Sequence, residues 1–144
     1  MSRTMIIRNI RAPIEMVFKT VANISEFSKA IPHIVKVEYL SKITSGVGTR
    51  FRETRLVKGK ESPTELEVTE YVENERVRLI ADSHGTVWDT VFVVKREGDN
   101  TKLTMTMDAR SSRIITRVVV FMISGMVKKT IERDMDSVKA YCEK

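Results

Sequence analysis

The stretch TKLTMTMDAR (101–110), followed by RIITRVVVFMISGMVKKTIERDMDSVKAYC (113–142), contains the change of pattern that decides the fold. In its first part Leu103, Met105 and Met107 alternate with polar residues, as in a strand that buries one face. After residue 110 the apolar residues recur mainly every three or four positions. This spacing predicts a single amphipathic helix of roughly thirty residues at the end of the chain.

A strand and two short helices are predicted at the other end. Residues 3–10 are rich in β-branched side chains and stop at Ala12-Pro13, which favours a strand because the residue before a proline avoids helical geometry. Apolar residues at helical spacing then predict a helix from Pro13 to about Asn23, and a second short helix before Pro32.

Residues 33–110 alternate between apolar and polar side chains and predict six strands. The strands are separated by turn signals at Ser45-Gly46, Lys58-Gly59-Lys60, Glu73-Asn74-Glu75, His84-Gly85 and Gly98-Asp99-Asn100. Because no helical segment lies between these turns, the strands form antiparallel hairpins and parallel βαβ units are excluded. The predicted fold class is therefore α+β, with a seven-stranded antiparallel sheet in the order β-α-α-β6-α.

The same alternation predicts which strand faces are buried. The inner face is expected to carry Leu66, Val68 and Val72, and the outer face Glu65, Glu67, Thr69 and Tyr71. The predicted strand that contains residues 87–94 is apolar on both sides. We expect its inner face to carry Trp88, Thr90, Phe92 and Val94.

Size and composition favour one domain spanning residues 1–144, with a single core. The lone Cys142 has no partner for an intrachain disulfide, and residues 1–10 alternate instead of forming an apolar signal segment, so a cytoplasmic location is expected. The apolar run 118–127 is too short to cross a bilayer, which argues against stable membrane insertion.

Several classes of function find no support in the residues. The net charge of +6 comes from scattered Lys and Arg, and aromatic residues make up only 6%, so nucleic-acid binding is not predicted. His33 and His84 do not form a metal-binding spacing, and no metal or cofactor is expected.

No catalytic residue is assigned. A Gly-x-Ser-x-Gly nucleophile motif is absent, and Cys142 lies at a helix C-terminus, where the dipole disfavours a thiolate. His84 is the best general acid or base by composition, although a solvated turn histidine is the simpler interpretation. The strand charges are expected to form cross-strand pairs on the outer face rather than point inward; they are Glu53, Arg55, Glu67, Arg76 and Arg78.

Only the terminal helix is long enough to cover the predicted sheet, so the sheet must curl around it. A twisted sheet wrapped over one helix leaves a space that is wide at one end. Flexible apolar side chains are expected to face that space, either as a binding surface or as core filling; they are Met105, Met107, Met122 and Met126.

The order of several short patterns carries a family resemblance, although no single pattern is specific. They are Ala12-Pro13-Ile14-Glu15 with Val17-Phe18, Asn23-Ile24 with Phe27, Ile31-Pro32, Val37-Glu38, Gly46-Val47-Gly48-Thr49-Arg50-Phe51, Trp88, Leu103-Thr104-Met105 and the closing helix. Through them nearly the whole chain resembles the polyketide cyclase/dehydrase and lipid-transport group, the START-like or Bet v 1-like SRPBCC superfamily with its helix-grip fold.

This resemblance implies a deep hydrophobic pocket between the sheet and the last helix, which holds lipids, polyketides, quinones or similar molecules. We therefore predict binding or transport of a small hydrophobic ligand. The residues expected to contact the ligand are Phe51, Leu79, Trp88, Phe92, Met105, Met107, Val118, Met122 and Met126.

Two other functions remain open. In a cyclase or dehydratase, polar groups of the pocket would orient an enolate or carry protons. The pocket residues of such members vary between subfamilies, so no catalytic set is carried over. The coenzyme Q-binding and ribosome-associated branches share the Ala-Pro start and the central proline, which leaves a protein or ribosome-interaction module as the third reading. A homo-oligomer is compatible with all three.

Overall fold

The computed structural model describes residues 2–83, 85–111 and 114–144, with side chains for 3–83, 85–110 and 126–144. Its elements are β1 (Ser2–Ile10), α1 (Ile14–Ala22), α2 (Ile24–Ala30), β2 (Ile34–Tyr39), β3 (Arg50–Val57), β4 (Lys60–Val72), β5 (Arg76–Ser83), β6 (Thr86–Glu97), β7 (Asn100–Ser111) and α3 (Ile114–Cys142). The predicted order of strand, two short helices, six strands and one long helix is confirmed.

The seven strands form one antiparallel sheet in the spatial order β1-β7-β6-β5-β4-β3-β2. Strands β2 to β7 form the predicted meander, and β1 pairs with β7, the last strand of the chain, so that the first and last strands lie side by side. The sheet is curved, and α3 packs against β1, β7 and both short helices.

The core lies where the three helices meet the inner face of the sheet. On α3 the buried side chains recur every three or four residues, as the sequence predicts for an amphipathic helix; they are Ile131, Met135, Val138 and Cys142. Val17 and Phe18 of α1 are buried in the same cluster. The last turns of α3 are therefore anchored both directly on the sheet, mainly on β1, and on the short helices.

A β-bulge in β4 overturns one prediction of strand facing. The register with β5 shifts between Val68 and Glu70, and this extra residue exchanges the two faces for the rest of the strand. Tyr71 consequently points inward, where its ring meets Phe18 edge-on with centroids 5.3 Å apart. Val72 is 39% exposed. The prediction that Tyr71 faces outward and Val72 inward is wrong, because a strict alternation of faces along the strand does not account for the extra residue of the bulge.

One buried hydrogen bond joins the start of β7 to the corner between β1 and α1. The Thr101 hydroxyl is fully buried and donates to the Ala12 carbonyl oxygen at 2.8 Å. We expect Thr101→Val to lower the free energy of unfolding by about 1–3 kcal/mol, because the carbonyl loses its partner in a buried position. Urea denaturation measures this loss. The control Thr104→Val, on the outer face of the same strand, should change stability by less than about 0.5 kcal/mol, and equal losses would contradict the prediction.

Candidate functional site

A cavity of about 460 Å³, open to solvent on one side, lies between the inner face of the sheet, the two short helices and α3. Its size falls within the range of pockets that hold small organic ligands. The wall from α1, α2 and the described part of α3 is formed by Val21, Ala22, Ile24, Phe27, Met126, Val127, Thr130, Ile131 and Asp134. The sheet contributes Phe51, Glu53, Arg55, Thr64, Leu66, Leu79, Ala81, Ser83, Trp88, Thr90, Phe92, Met105 and Met107.

Seven of the nine residues predicted from the sequence to contact a ligand line this cavity. They are Phe51, Leu79, Trp88, Phe92, Met105, Met107 and Met126. The side chains of the other two, Val118 and Met122, lie outside the described residues. On β6 the cavity face is the one that carries Trp88, Thr90 and Phe92, as expected from the sequence. Ligand contact by these residues stays a prediction.

Most of the cavity wall is apolar and contains aromatic rings and methionines. The ring of Phe27 on α2 packs against that of Phe92 on β6, with centroids 6.1 Å apart and the ring planes inclined by 59°. Met105 is buried in the core next to them, whereas Met126 is 62% exposed and marks the rim of the cavity. Such a wall adapts to apolar ligands of different shape, because methionine side chains are flexible and polarisable.

A cluster of three charged residues interrupts this apolar wall. The Arg55 guanidinium donates from Nε to Glu53 Oε1 at 3.1 Å and from Nη1 to Asp134 Oδ2 at 2.9 Å. Glu53 and Asp134 are buried and Arg55 is half-buried. Because Glu53 and Arg55 come from β3 and Asp134 from α3, the cluster ties the terminal helix to the far part of the sheet.

Arg55 keeps its positive charge in this environment. Burial opposes the charged form, but the carboxylates of Glu53 and Asp134 outweigh that effect, so the pKa of Arg55 lies above its ordinary value. With both carboxylates ionised, the cluster carries one positive and two negative charges and is negative overall.

The cluster corrects the expectation for the strand charges. Glu53 and Arg55 share the inner face of β3 with Phe51, so their predicted place on the outer face is wrong. The other three strand charges form pairs away from the cavity, as expected. Glu67 meets Arg50, Arg76 meets Glu70, and Arg78 bridges Glu70 and Asp89. The burial of Glu53 and Arg55 is tolerated because Asp134 on α3 accepts a second hydrogen bond from the Arg55 guanidinium.

Sequence reasoning also missed the contributions of Asp134 and of the short helices. Asp134 lies three residues after Ile131 and four before Val138, on the apolar stripe of α3, and an acid in that position was the available signal. The cavity wall of α1 and α2 had no distinguishing pattern, since its residues are ordinary core side chains.

The remaining candidates for chemistry lie elsewhere. Cys142 is buried at the end of α3 beside the Thr20 hydroxyl, 3.5 Å from its sulfur, and burial raises the pKa of its thiol. His84 lies outside the described residues, and His33 is exposed before β2. In the described part of the chain, no three His, Cys, Asp or Glu side chains are grouped to hold a metal ion. Across the same residues, none of the helices is both long and apolar enough to span a membrane.

Solved structures with the same curved sheet and terminal helix define the class of fold. A START superfamily protein from Mycobacterium smegmatis superimposes with a TM-score of 0.77 at 15% identity, covering 98% of this chain and 97% of its own. The protein Ara h 8.0201 gives 0.77 at 13% identity, covering 98% and 97%. The di-domain ARO/CYC BexL from the BE-7585A biosynthetic pathway gives 0.80 at 14% identity, covering 97% of this chain and 46% of its own. The fold is thus the helix-grip fold of START-like and Bet v 1-like proteins.

The sequence itself places the chain within that class. Residues 5–143 match the family described as polyketide cyclase / dehydrase and lipid transport, and the chain belongs to this family. A comparison with curated proteins found no match.

Proposed function

We propose that this protein binds and carries a small apolar or amphipathic molecule in the cavity between its sheet and terminal helix. The observation that supports the proposal is the cavity of about 460 Å³ with a mostly apolar wall of aromatic and methionine side chains. Removing about 300 Å² of apolar ligand surface from water contributes roughly 7 kcal/mol before the costs of association are subtracted. Because micromolar affinity corresponds to about 8 kcal/mol, polar contacts of the ligand must add to this apolar contribution. The chain acts as one domain, and its unpaired Cys142 fits a reducing cytoplasm.

Occupying part of the cavity with a larger side chain should weaken this binding. Ala81 is buried on β5 and lines the cavity, so Ala81→Leu places a larger side chain inside it. We expect the variant to bind the neutral dye N-phenyl-1-naphthylamine at least about tenfold more weakly than the unmodified protein. Titration of the dye fluorescence measures the difference. The matched control Ala140→Leu adds the same side chain at an exposed position of α3 and should bind the dye like the unmodified protein.

Two results would overturn the proposal. One is that the unmodified protein excludes the dye, and the other is that Ala81→Leu binds it unchanged while remaining folded by circular dichroism. Native mass spectrometry after exposure to a lipid extract then identifies which molecules the cavity retains.

A cyclase or dehydratase activity is the second candidate. The observation that favours it is the charged cluster of Glu53, Arg55 and Asp134 in the cavity wall, where polar groups could orient an enolate or move a proton. Incubation with a reactive poly-β-ketone chain tests it. Product formation by the unmodified protein that is lost in Arg55→Met, with folding intact, would favour the enzyme over the carrier.

A further inference from the structure

We propose that the cavity selects amphiphiles whose polar end donates hydrogen bonds, a hydroxyl or a protonated amine, and rejects the corresponding carboxylates. The inference rests on the proposed function, because it concerns which ligands the cavity holds. It follows from the composition and geometry of the charged cluster of Glu53, Arg55 and Asp134.

The two carboxylates of the cluster retain hydrogen-bonding capacity at the cavity wall. Glu53 uses Oε1 and Asp134 uses Oδ2 to accept from Arg55. Among the described side chains, none donates a hydrogen bond to Glu53 Oε2 or Asp134 Oδ1. Both residues line the cavity. A ligand hydroxyl or ammonium group placed there would supply the donors that these oxygens can accept.

The charge of the cluster works against an anionic ligand. Arg55 is the only cation among the described residues of the cavity wall, and two carboxylates already neutralise it. A third carboxylate would enter a site that is already negative and whose two carboxylates are buried, where repulsion between like charges is stronger than in bulk water. The Thr130 hydroxyl donates to the Met126 carbonyl oxygen at 3.1 Å, so it is not free to donate to the anion. Thr64, Ser83 and Thr90 also line the cavity, but their hydroxyls are neutral and leave the net charge of the site negative.

The arrangement also orients the ligand. The charged cluster lies where β3 meets α3, whereas Phe27, Phe92 and Met105 belong to the wall made by α2, β6 and β7. An amphiphile therefore places its polar end against Asp134 and its chain along the aromatic side. The opposite orientation would move the polar end away from the two carboxylate acceptors, and a buried polar group that loses such hydrogen bonds is unfavourable.

Three probes with the same alkyl chain test the selectivity: decan-1-ol, decylamine and decanoate. Each is titrated at neutral pH against protein loaded with N-phenyl-1-naphthylamine, and dye displacement is measured. We expect decan-1-ol and decylamine to bind at least about tenfold more tightly than decanoate. Equal affinities, or tighter binding of decanoate, would overturn the inference. If none of the probes or the dye binds, the proposed function fails instead.

Variants separate the effect of the cluster from a general preference of the protein. Asp134→Asn and Glu53→Gln each remove one negative charge from the cavity, and each should improve decanoate binding relative to decan-1-ol by at least about threefold. Glu61→Gln makes the same change of charge at an exposed position of β4 and should leave the ratio unchanged. An unchanged ratio in both cavity variants, or the same shift in Glu61→Gln, would contradict the inference. The comparison of the three probes on the unmodified protein stands even where a cavity variant folds poorly.

Discussion

Replacing Arg55 by methionine is expected to lower the free energy of unfolding by about 3–5 kcal/mol, as measured by urea denaturation. In the unmodified protein the Arg55 guanidinium lies 3.1 Å from Glu53 Oε1 and 2.9 Å from Asp134 Oδ2. The substitution removes this shared cation and leaves both carboxylates buried. Two buried carboxylates without a cation repel each other, and the cost of their desolvation is no longer offset.

A pair of comparisons shows whether burial is the cause. Arg96→Met breaks the exposed pair with Glu15 and should cost less than about 1 kcal/mol. The triple variant Glu53→Gln, Arg55→Met, Asp134→Asn removes all three charges, and it should recover part of the loss seen in the single variant. A loss in Arg55→Met no larger than in Arg96→Met would show that water in the cavity screens the cluster.

The second large effect is expected at Met135, whose side chain is fully buried in the core on α3. Met135→Ala should lower the free energy of unfolding by about 2–5 kcal/mol, because it removes buried apolar surface and leaves a cavity that the surroundings fill only in part. Chemical denaturation followed by circular dichroism measures the change. The helix would lose one of the contacts that hold its last turns on the sheet.

The same helix offers a matched control in Met126, which is 62% exposed at the cavity rim. Met126→Ala should change stability by no more than about 0.5 kcal/mol. Similar losses in the two variants would show that α3 is not anchored chiefly through its final turns. Because Met126 lines the cavity, its variant also reports whether the rim contributes to dye affinity independently of stability.

The order of the elements was readable from the sequence because each element has its own period. Alternation identified β7, spacings of three and four identified α3, and turn residues separated the strands between them. Six of the seven predicted contact residues that line the cavity follow from alternation, since the inner face of a strand in a curved sheet is the cavity face. The seventh, Met126, follows from the helical spacing of α3. Periodicity describes one element at a time, so it was sufficient for the type of each element and for the residues on its buried face.

The errors concern features that no single element contains. The bulge in β4 depends on how that strand pairs with β5, and it reversed the facing of Tyr71 and Val72. The charged cluster depends on α3 bringing Asp134 to a strand nearly eighty positions earlier in the chain. Without Asp134, charged residues on a strand are most often paired across strands on the outer face, which is why that position was predicted for Glu53 and Arg55.

Local patterns in the sequence are enough to define the α+β class, the order of its helices and strands and the apolar character of the interior, because alternation, helical spacing and turn residues act over a few neighbouring positions. The volume of the cavity and the place of a charged cluster in its wall became known from the packing of the helix on the sheet. Burying Glu53 and Arg55 becomes acceptable when Asp134 completes their hydrogen bonds, and that partner arrives only when the helix lies against the sheet.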